Sequence, residues 1–320
     1  MMSDSAFCPD SFLGTFLNGP VEDFLARPKK DFRGDLVRIG FALYSTKKES
    51  SVFDQSVTEL MKMIEWIHSG SLIVDDIQDD SFERRGKQSL HRLYGMPCAL
   101  NAANWMYFEA LKMVHALPLA DATKIKILFL THHAMAQAHH GQAYDLMAHM
   151  LAVPRETIFD LGMKSHELKS GVLIGLALQV GGLLGNEEAD VSTLGQLGSA
   201  IGVSLQRFDD LGNLKLGSQN SKSLEDLRLG RASWVWMYLS RYGTQEEFKD
   251  FKEAVALLPD EGPLKLFLEK SDLKKRALTE AERLHREIYS HLNKGFPGIK
   301  SSEALIQLKN IMEKVANAYT

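Results

Sequence analysis

Residues 74–86 read VDDIQDDSFERRG, and the fold is decided by what surrounds this stretch. Asp75, Asp76, Asp79 and Asp80 stand at i, i+1, i+4 and i+5. On a helix, Asp75 and Asp79 share one face, and Asp76 and Asp80 lie on the next. Working backwards, Leu60, Ile64, Ile67, Ser71 and Val74 repeat at helical spacing, so the acids close the end of a buried helix face. Four like charges within two turns destabilise a helix unless cations neutralise them. Oxygen-only ligands of this kind suit Mg²⁺, which keeps waters and is commonly shared with substrate phosphates. Taken alone, such a cluster is more often a solvated helix end than a metal site.

The same helical period runs outward through the chain. Leu168, Val172, Gly175, Leu176 and Gln179 form a second face, and no stretch alternates as a strand would. Residues 116–121, 216–223, 258–263 and 293–301 hold Gly, Pro and polar residues and read as loops. No composition break, repeat or low-complexity tract marks a linker. The expectation is one all-α domain over residues 1–320, a bundle of ten or more helices. Residues 264–292, heavily charged with spaced Leu, Ala and Ile, read as a solvated amphipathic helix.

Bulk properties narrow the function. The chain is 45% hydrophobic and 24% charged, ordinary for a protein with a sizeable core. Its net charge of −4 gives no electrostatic case for nucleic acid. Two cysteines, Cys8 and Cys98, exclude a disulfide scaffold and fit a reducing compartment. The N-terminus begins acidic and polar, without the basic start and apolar core of a signal peptide. The apolar run 171–185 is broken by Gln179 and is short for a membrane span, reading instead as a helix buried on all sides. A soluble, cytoplasmic protein is expected.

A second acidic group changes the odds for the first. Asp209, Asp210 and Asn213, in LQRFDDLGN, repeat the i, i+1, i+4 arrangement after another apolar stretch. Facing helices of a bundle build metal sites from such side chains. Bases stand beside both clusters: Arg84 and Arg85 after the first, Lys215, Lys222 and Arg231 after the second. Acids for metal and bases for phosphate oxygens suit a chemistry in which diphosphate departs.

These residues carry a resemblance to a known family. From about Lys29 to Trp234 the chain resembles the trans-isoprenyl (polyprenyl) diphosphate synthases, most like those making geranylgeranyl or farnesyl diphosphate. The motif DDxxDxxxxRRG is intact over residues 75–86. Lys30 and Arg33 match KxxR, His68 matches a diphosphate-binding histidine, and Gly141, Gln142 and Asp145 match GQxxD. Lys169-Ser170 matches K[ST], and Gln206, Asp209, Asp210 and Asn213 match FQxxDDxx[DN], with Leu205 in place of Phe. Arg231 stands where the family has a later lysine, keeping the charge but changing its reach and fork.

The resemblance implies an all-α fold around a deep central cavity, with two diphosphates at its mouth. It implies Mg²⁺, three ions with substrate bound, held by Asp75, Asp79 and Asp209, with Asp210 and Lys169 also catalytic and Asp76 a supporting member of the catalytic set. Arg84, Lys169, Lys222 and Arg231 would hold the allylic diphosphate. Lys30, Arg33, His68 and Arg85 would hold isopentenyl diphosphate, and Ser170 and Gln206 would line the site of the allylic cation. The implied reaction is ionisation, condensation and elimination, and the implied assembly is a homodimer. Two other readings stay open. A class I terpene cyclase shares the ionisation chemistry, but the chain has no N-D-x-x-S-x-x-x-E motif and keeps the isopentenyl-site residues. A non-catalytic subunit of a heteromeric synthase typically lacks one aspartate cluster, and this chain keeps both.

In this family, bulk one or two turns before the first motif limits chain growth. Gly70 and Ser71 are small there, so the stop for short products is missing. One turn lower stand Trp66 and Ile67, and Trp66 reads equally as a floor or as an outer-face core contact. Geranylgeranyl diphosphate is the favoured product, with farnesyl and longer chains open. His132, His133, His139, His140 and His149 read as structural or surface residues, since adjacent histidines point to different helix faces. Met61, Met63, Met147 and Met150 read as gap-filling core, as do Trp234 and Trp236.

Overall fold

The computed structural model describes residues 12–29, 32–45, 51–217, 223–293, 299 and 301–317. A π-helical turn, Gly14–Asn18, leads into α1 (Gly19–Leu25), α2 (Phe32–Tyr44) and the 28-residue α3 (Ser51–Gln78). Two-residue strands β1 (Glu83–Arg84) and β2 (Lys87–Gln88) follow, then α4 (Leu90–Tyr94), α5 (Met96–His115) and α6 (Asp121–Met147). Next come α7 (Arg155–His166), a π turn (Glu167–Gly171), α8 (Val172–Gly185) and α9 (Val191–Asn213). The chain closes with α10 (Glu225–Arg228), α11 (Trp234–Tyr242), α12 (Gln245–Ala256), α13 (Gly262–Ser271), α14 (Leu273–Asn293) and α15 (Ser302–Asn317). The expected all-α bundle is what the chain forms.

α3 is long because Leu60, Met63, Ile64 and Ile67 form an unbroken buried stripe with no Gly or Pro until Gly70. It ends where Asp80 adopts a left-handed φ of 51°. The chain then turns back through β1 and β2, paired Glu83 to Gln88 and Arg84 to Lys87. Arg85 (φ 57°) and Gly86 (φ 76°) both lie in the left-handed region, which a tight two-residue hairpin turn requires at its centre. The ribbon is too short for alternation to register, so the sequence shows no sign of it.

α8 is the hub. Nearly all of its side chains from Ile174 to Leu184 are buried, and it packs against α2, α3, α6 and α9. The approach to α2 is backbone to backbone: a Cβ on Gly40 would strike the Leu178 carbonyl, and one on Gly181 the Val37 carbonyl. The continuous helical run Arg155–Gly185 is long and apolar enough to cross a membrane, with mean hydropathy 1.5 over its most apolar window. Two thirds of that window (67%) is buried inside the protein, as in a core helix. Each fully buried Leu or Ile here contributes roughly 2 kcal/mol of transfer free energy.

A second apolar cluster gathers Phe208, Trp234, Trp236, Phe251 and Leu264, with Trp234 and Trp236 wholly buried. α14 lays Leu273, Ala277 and Ala281 onto it at helical spacing and turns its charged face outward, the amphipathic helix expected for this segment.

Candidate active site

α3, α6, α8 and α9 surround a cavity of about 730 Å³, with Tyr107 of α5 on one side. Asp75 and Asp79 from α3 face Asp209 and Asn213 from α9 across its mouth, and Asp145 of α6, Glu225 and Asp226 join the rim. Below the rim the lining turns apolar: Ile67, Leu72 and Val74 from α3, Ala134, Met135 and Ala138 from α6, Val172, Leu173 and Leu176 from α8. On α3 the lining reaches from Gln78 down to Ile67, about 17 Å of helix rise.

The acids at the rim are held by bases. Lys169 Nζ donates to Asp75 Oδ1 at 3.0 Å and to Asp145 Oδ2 at 2.7 Å. Burial opposes its charge, but these two carboxylates outweigh burial and hold Lys169 protonated well above its usual range. Arg84 forks between Asp75 (Nη2 to Oδ2, 3.1 Å) and Asp76 (Nε to Oδ1, 2.6 Å). Arg231 pairs with Asp79 and donates Nη1 to the Asp145 carbonyl at 2.9 Å. Burial, then the Asp75 charge, raises the Asp79 carboxyl above its ordinary value against the pull of Arg231. Asp226 is pushed up to about 7 by burial and by Asp145 and Asp209. Such crowding of carboxylates asks for cations.

Lys169 and Ser170 both line the cavity from the π turn Glu167–Gly171, a distortion of the helix that recurs at functional sites. Ser170 Oγ donates to Gln206 Oε1 at 2.6 Å, and Gln206 Nε2 donates to Asp210 Oδ1 at 2.8 Å. The two side chains thus present a fixed pair of oxygen dipoles to the cavity.

Several expected site residues sit elsewhere. Asp76, 1% exposed, is turned behind the wall and neutralised by Arg84. Asp210, 5% exposed, caps the start of α11 by accepting from Trp234 N at 2.6 Å. Neither lines the cavity: with Val74 and Asp75 turned inward, the next step of about 100° carries Asp76 behind the wall, and Asp210 lies one such step past Asp209. Trp66 is off the cavity too, edge-on to Trp105 at 5.7 Å, so the outer-face reading replaces the floor. Gly70 does not widen the cavity either. Its missing side chain admits α5, since a Cβ there would lie 3.1 Å from the Ala103 carbonyl and from Tyr107 Cε1. Ile67, Ser71, Arg33, His68 and Arg85 do line it. Lys30 and Lys222 lie outside the described residues.

Tyr107 and His139, edge to face at 6.0 Å, line the cavity although neither belongs to the expected site. Tyr107 reaches the cavity from a neighbouring helix that no motif marks. In sequence His139 reads as a structural or surface residue within a run of histidines, whereas the fold turns it to the cavity. Glu225 and Asp226 were likewise missed, because only the fold of residues 223–231 returns them to the rim.

Among the described residues, no three acids, histidines or cysteines converge as a closed metal cage. The donor set fits a different arrangement. One or two carboxylate oxygens from each side, with no nitrogen or sulfur, suit Mg²⁺ that keeps waters and takes its remaining ligands from a diphosphate. The neighbouring bases would then turn to phosphate oxygens.

A sequence profile of the polyprenyl synthetase family matches residues 15–263. A geranylgeranyl pyrophosphate synthase of Eremothecium gossypii is 28% identical over 253 residues, 76% of this chain and 75% of that protein. Geranylgeranyl pyrophosphate synthase janG of Penicillium janthinellum is 30% identical over 221 residues, 68% of this chain and 56% of the relative. The chain therefore spans little more than half of that longer relative. The crystal structure of a geranylgeranyl pyrophosphate synthetase from Pyrococcus horikoshii superimposes with a TM-score of 0.75 at 21% identity, over 96% of this chain and 90% of that one. A polyprenyl synthase from Caulobacter crescentus, complexed with calcium and isoprenyl diphosphate, gives 0.72 at 18% identity, over 100% and 90%. At these identities the structures establish the shared fold.

Proposed function

The chain belongs to the polyprenyl synthetase family of trans-prenyltransferases, and from that premise we propose that it condenses isopentenyl diphosphate with an allylic diphosphate. The observation that carries this reading is the rim, where Asp75 and Asp79 face Asp209 with Lys169, Arg84 and Arg231 between them, above an apolar cavity.

Asp75, Asp79 and Asp209 would hold Mg²⁺, three ions with substrate present, supplying Lewis-acid neutralisation to the departing diphosphate. Arg84, Lys169 and Arg231 exchange carboxylate partners for phosphate oxygens of the allylic substrate, and Lys222 joins them. As the allylic C–O bond breaks, its electron pair leaves with the diphosphate, where these cations stabilise the charge. The Ser170–Gln206 pair turns oxygen dipoles toward the carbocation, and the apolar lining keeps water from capturing it. Lys29, Lys30, Arg33, His68 and Arg85 orient isopentenyl diphosphate so that its double bond attacks the allylic carbon. A proton then leaves the adduct for the released diphosphate. His68 stays neutral in this setting, because burial and then Arg33, Arg85 and Arg84 depress its pKa far below the usual histidine value.

The product favoured is geranylgeranyl diphosphate. The small Ser71 on the cavity side of α3, one turn below Asp75, and the names of the fungal relatives support that length over shorter ones. A homodimer in the cytoplasm completes the proposal. Phe108 of α5 and Ile125 and Phe129 of α6, each at least 65% exposed, are the kind of apolar surface a second copy covers.

The test is incubation with isopentenyl diphosphate, Mg²⁺ and dimethylallyl, geranyl or farnesyl diphosphate in turn. Elongated all-trans products are expected. No elongation from any primer would sink the reading, and cyclic products from an allylic diphosphate alone would favour a terpene cyclase.

A further inference from the structure

Glu65 lies on α3 ten residues before Asp75, 6% exposed and absent from the cavity lining. A carboxylate so enclosed needs partners that meet its charge. One oxygen, Oε1, has three. Ser69 Oγ donates to it at 3.0 Å from the next helical turn, Arg85 Nη2 donates at 3.2 Å, and Lys29 Nζ stands 3.3 Å away. Both cations line the cavity. Each therefore faces the site with one side and the buried carboxylate with the other.

Arg85 is held unusually firmly for a long side chain. Its backbone is left-handed at φ 57°, a strained conformation for a residue with a Cβ. Its guanidinium lies 5.0 Å from the centre of the buried Phe24 ring, and Arg27 lies 5.2 Å from the same ring. Arg27 also donates to the carbonyl of Arg84, fixing the strand next to the turn. With Nη2 on Glu65, the buried Nη1 of Arg85 has no hydrogen-bond partner among the described residues. A buried charged donor left unmatched at a cavity wall fits an incoming anionic oxygen.

We propose that Glu65 is a positioning residue for the diphosphate of the homoallylic substrate: its buried carboxylate sets the spacing of Lys29 and Arg85 so that both reach that diphosphate. The proposal rests on the condensation reading above and extends it to a residue that never touches substrate. Two effects of removing the charge oppose each other. Neutralising Glu65 leaves the site more positive, which by Coulomb attraction alone would tighten diphosphate binding. Releasing Lys29 and Arg85 lets them repel one another and costs the fixed geometry on which binding depends. The sign of the change reports which effect governs.

Steady-state kinetics of Glu65→Gln, with each substrate varied in turn, decide the matter. Expected is a rise in KM for isopentenyl diphosphate of about tenfold, the factor that 1.4 kcal/mol represents, with KM for the allylic diphosphate unchanged. Glu65→Asp, which keeps the charge on a shorter stem, should fall between Gln and wild type. An unchanged or lowered KM for isopentenyl diphosphate overturns the proposal, as does a loss shared equally by both substrates, the mark of a purely structural role. Should Glu65→Gln fail to fold, Ser69→Ala carries the test by removing one hydrogen bond from the same oxygen. A smaller rise in the same constant is expected, and no rise overturns the proposal. If the wild-type protein elongates no primer, the condensation reading falls and this proposal with it. A wild type that elongates beside an unaffected variant sinks Glu65 alone.

Discussion

At the scale of single residues, the paired aspartates divide their labour. Asp209 faces the cavity, while its neighbour Asp210 faces Gln206 and the amide of Trp234. Burial and the charge of Asp226 push the Asp210 carboxyl well above its usual range against the pull of those bonds, which disfavours the charge that holding a metal ion needs. Asp209→Ala is expected to lower turnover by about two to three orders of magnitude, as loss of a charge-stabilising group does, with melting temperature near wild type. Asp210→Ala leaves a buried amide without its acceptor and should cost about 1–3 kcal/mol of stability. Equal stability losses in a denaturant titration would show that the division is wrong. Two histidines add a pH dependence. Burial first, and for His166 the Arg207 charge, depress His166 and His285 to about 4 against 6.5 for the free side chain. Both are neutral in the folded state, so their contribution is fully present above pH 6.5 and is lost as pH falls from 6.5 toward 4. Acidifying from pH 7.5 to 5.5 should cost roughly 1 kcal/mol for each histidine. His285→Phe should flatten the profile, and an unaltered profile would rule out that group.

At the scale of elements, the site depends on how closely backbones approach. Gly141 of α6 lies against the π turn, and a Cβ there would stand 2.6 Å from Lys169 N and 2.7 Å from the Leu168 carbonyl carbon. Those atoms are backbone and cannot rotate aside. Gly141→Ala should therefore displace the turn that carries Lys169 and Ser170, costing about 1–3 kcal/mol and lowering turnover together with thermal stability. Full activity at an unchanged melting temperature would show that the turn yields without consequence. The GQxxD match marked Gly141 as a position but not its reason, because what excludes a side chain there is a helix 27 residues away in sequence. The π turn was equally hidden: Lys169-Ser170 reads as two adjacent helical residues until the neighbouring helices fix where both must point.

At the scale of the whole molecule, the proposed reaction makes cavity depth the limit on product length, and depth is set by helices that meet only in the folded bundle. Tyr107 comes in from α5 opposite the small Gly70 of α3 and touches His139 of α6. Its hydroxyl is raised to about 12 by burial and then by the Asp75 charge, so it presents a neutral ring to the cavity. Tyr107→Ala should extend the product by about one isoprene unit, the length of one helical turn, whereas Trp66→Ala should leave it unchanged. Identical product profiles for Tyr107→Ala and wild type would remove this wall from the account. The sequence by itself determined the helical class, through the 3.6-residue period of Leu60, Ile64 and Ile67. It also marked the two acidic clusters, because i, i+1, i+4 spacing is a local property that survives any packing. The tertiary structure alone decided which member of each pair faces inward, which bases neutralise it, that Trp66 is excluded from the cavity and that Glu65, Tyr107 and Asp226 stand at or beside it. These are contacts between residues far apart in the chain, and their geometry follows from how close each backbone can come to the next.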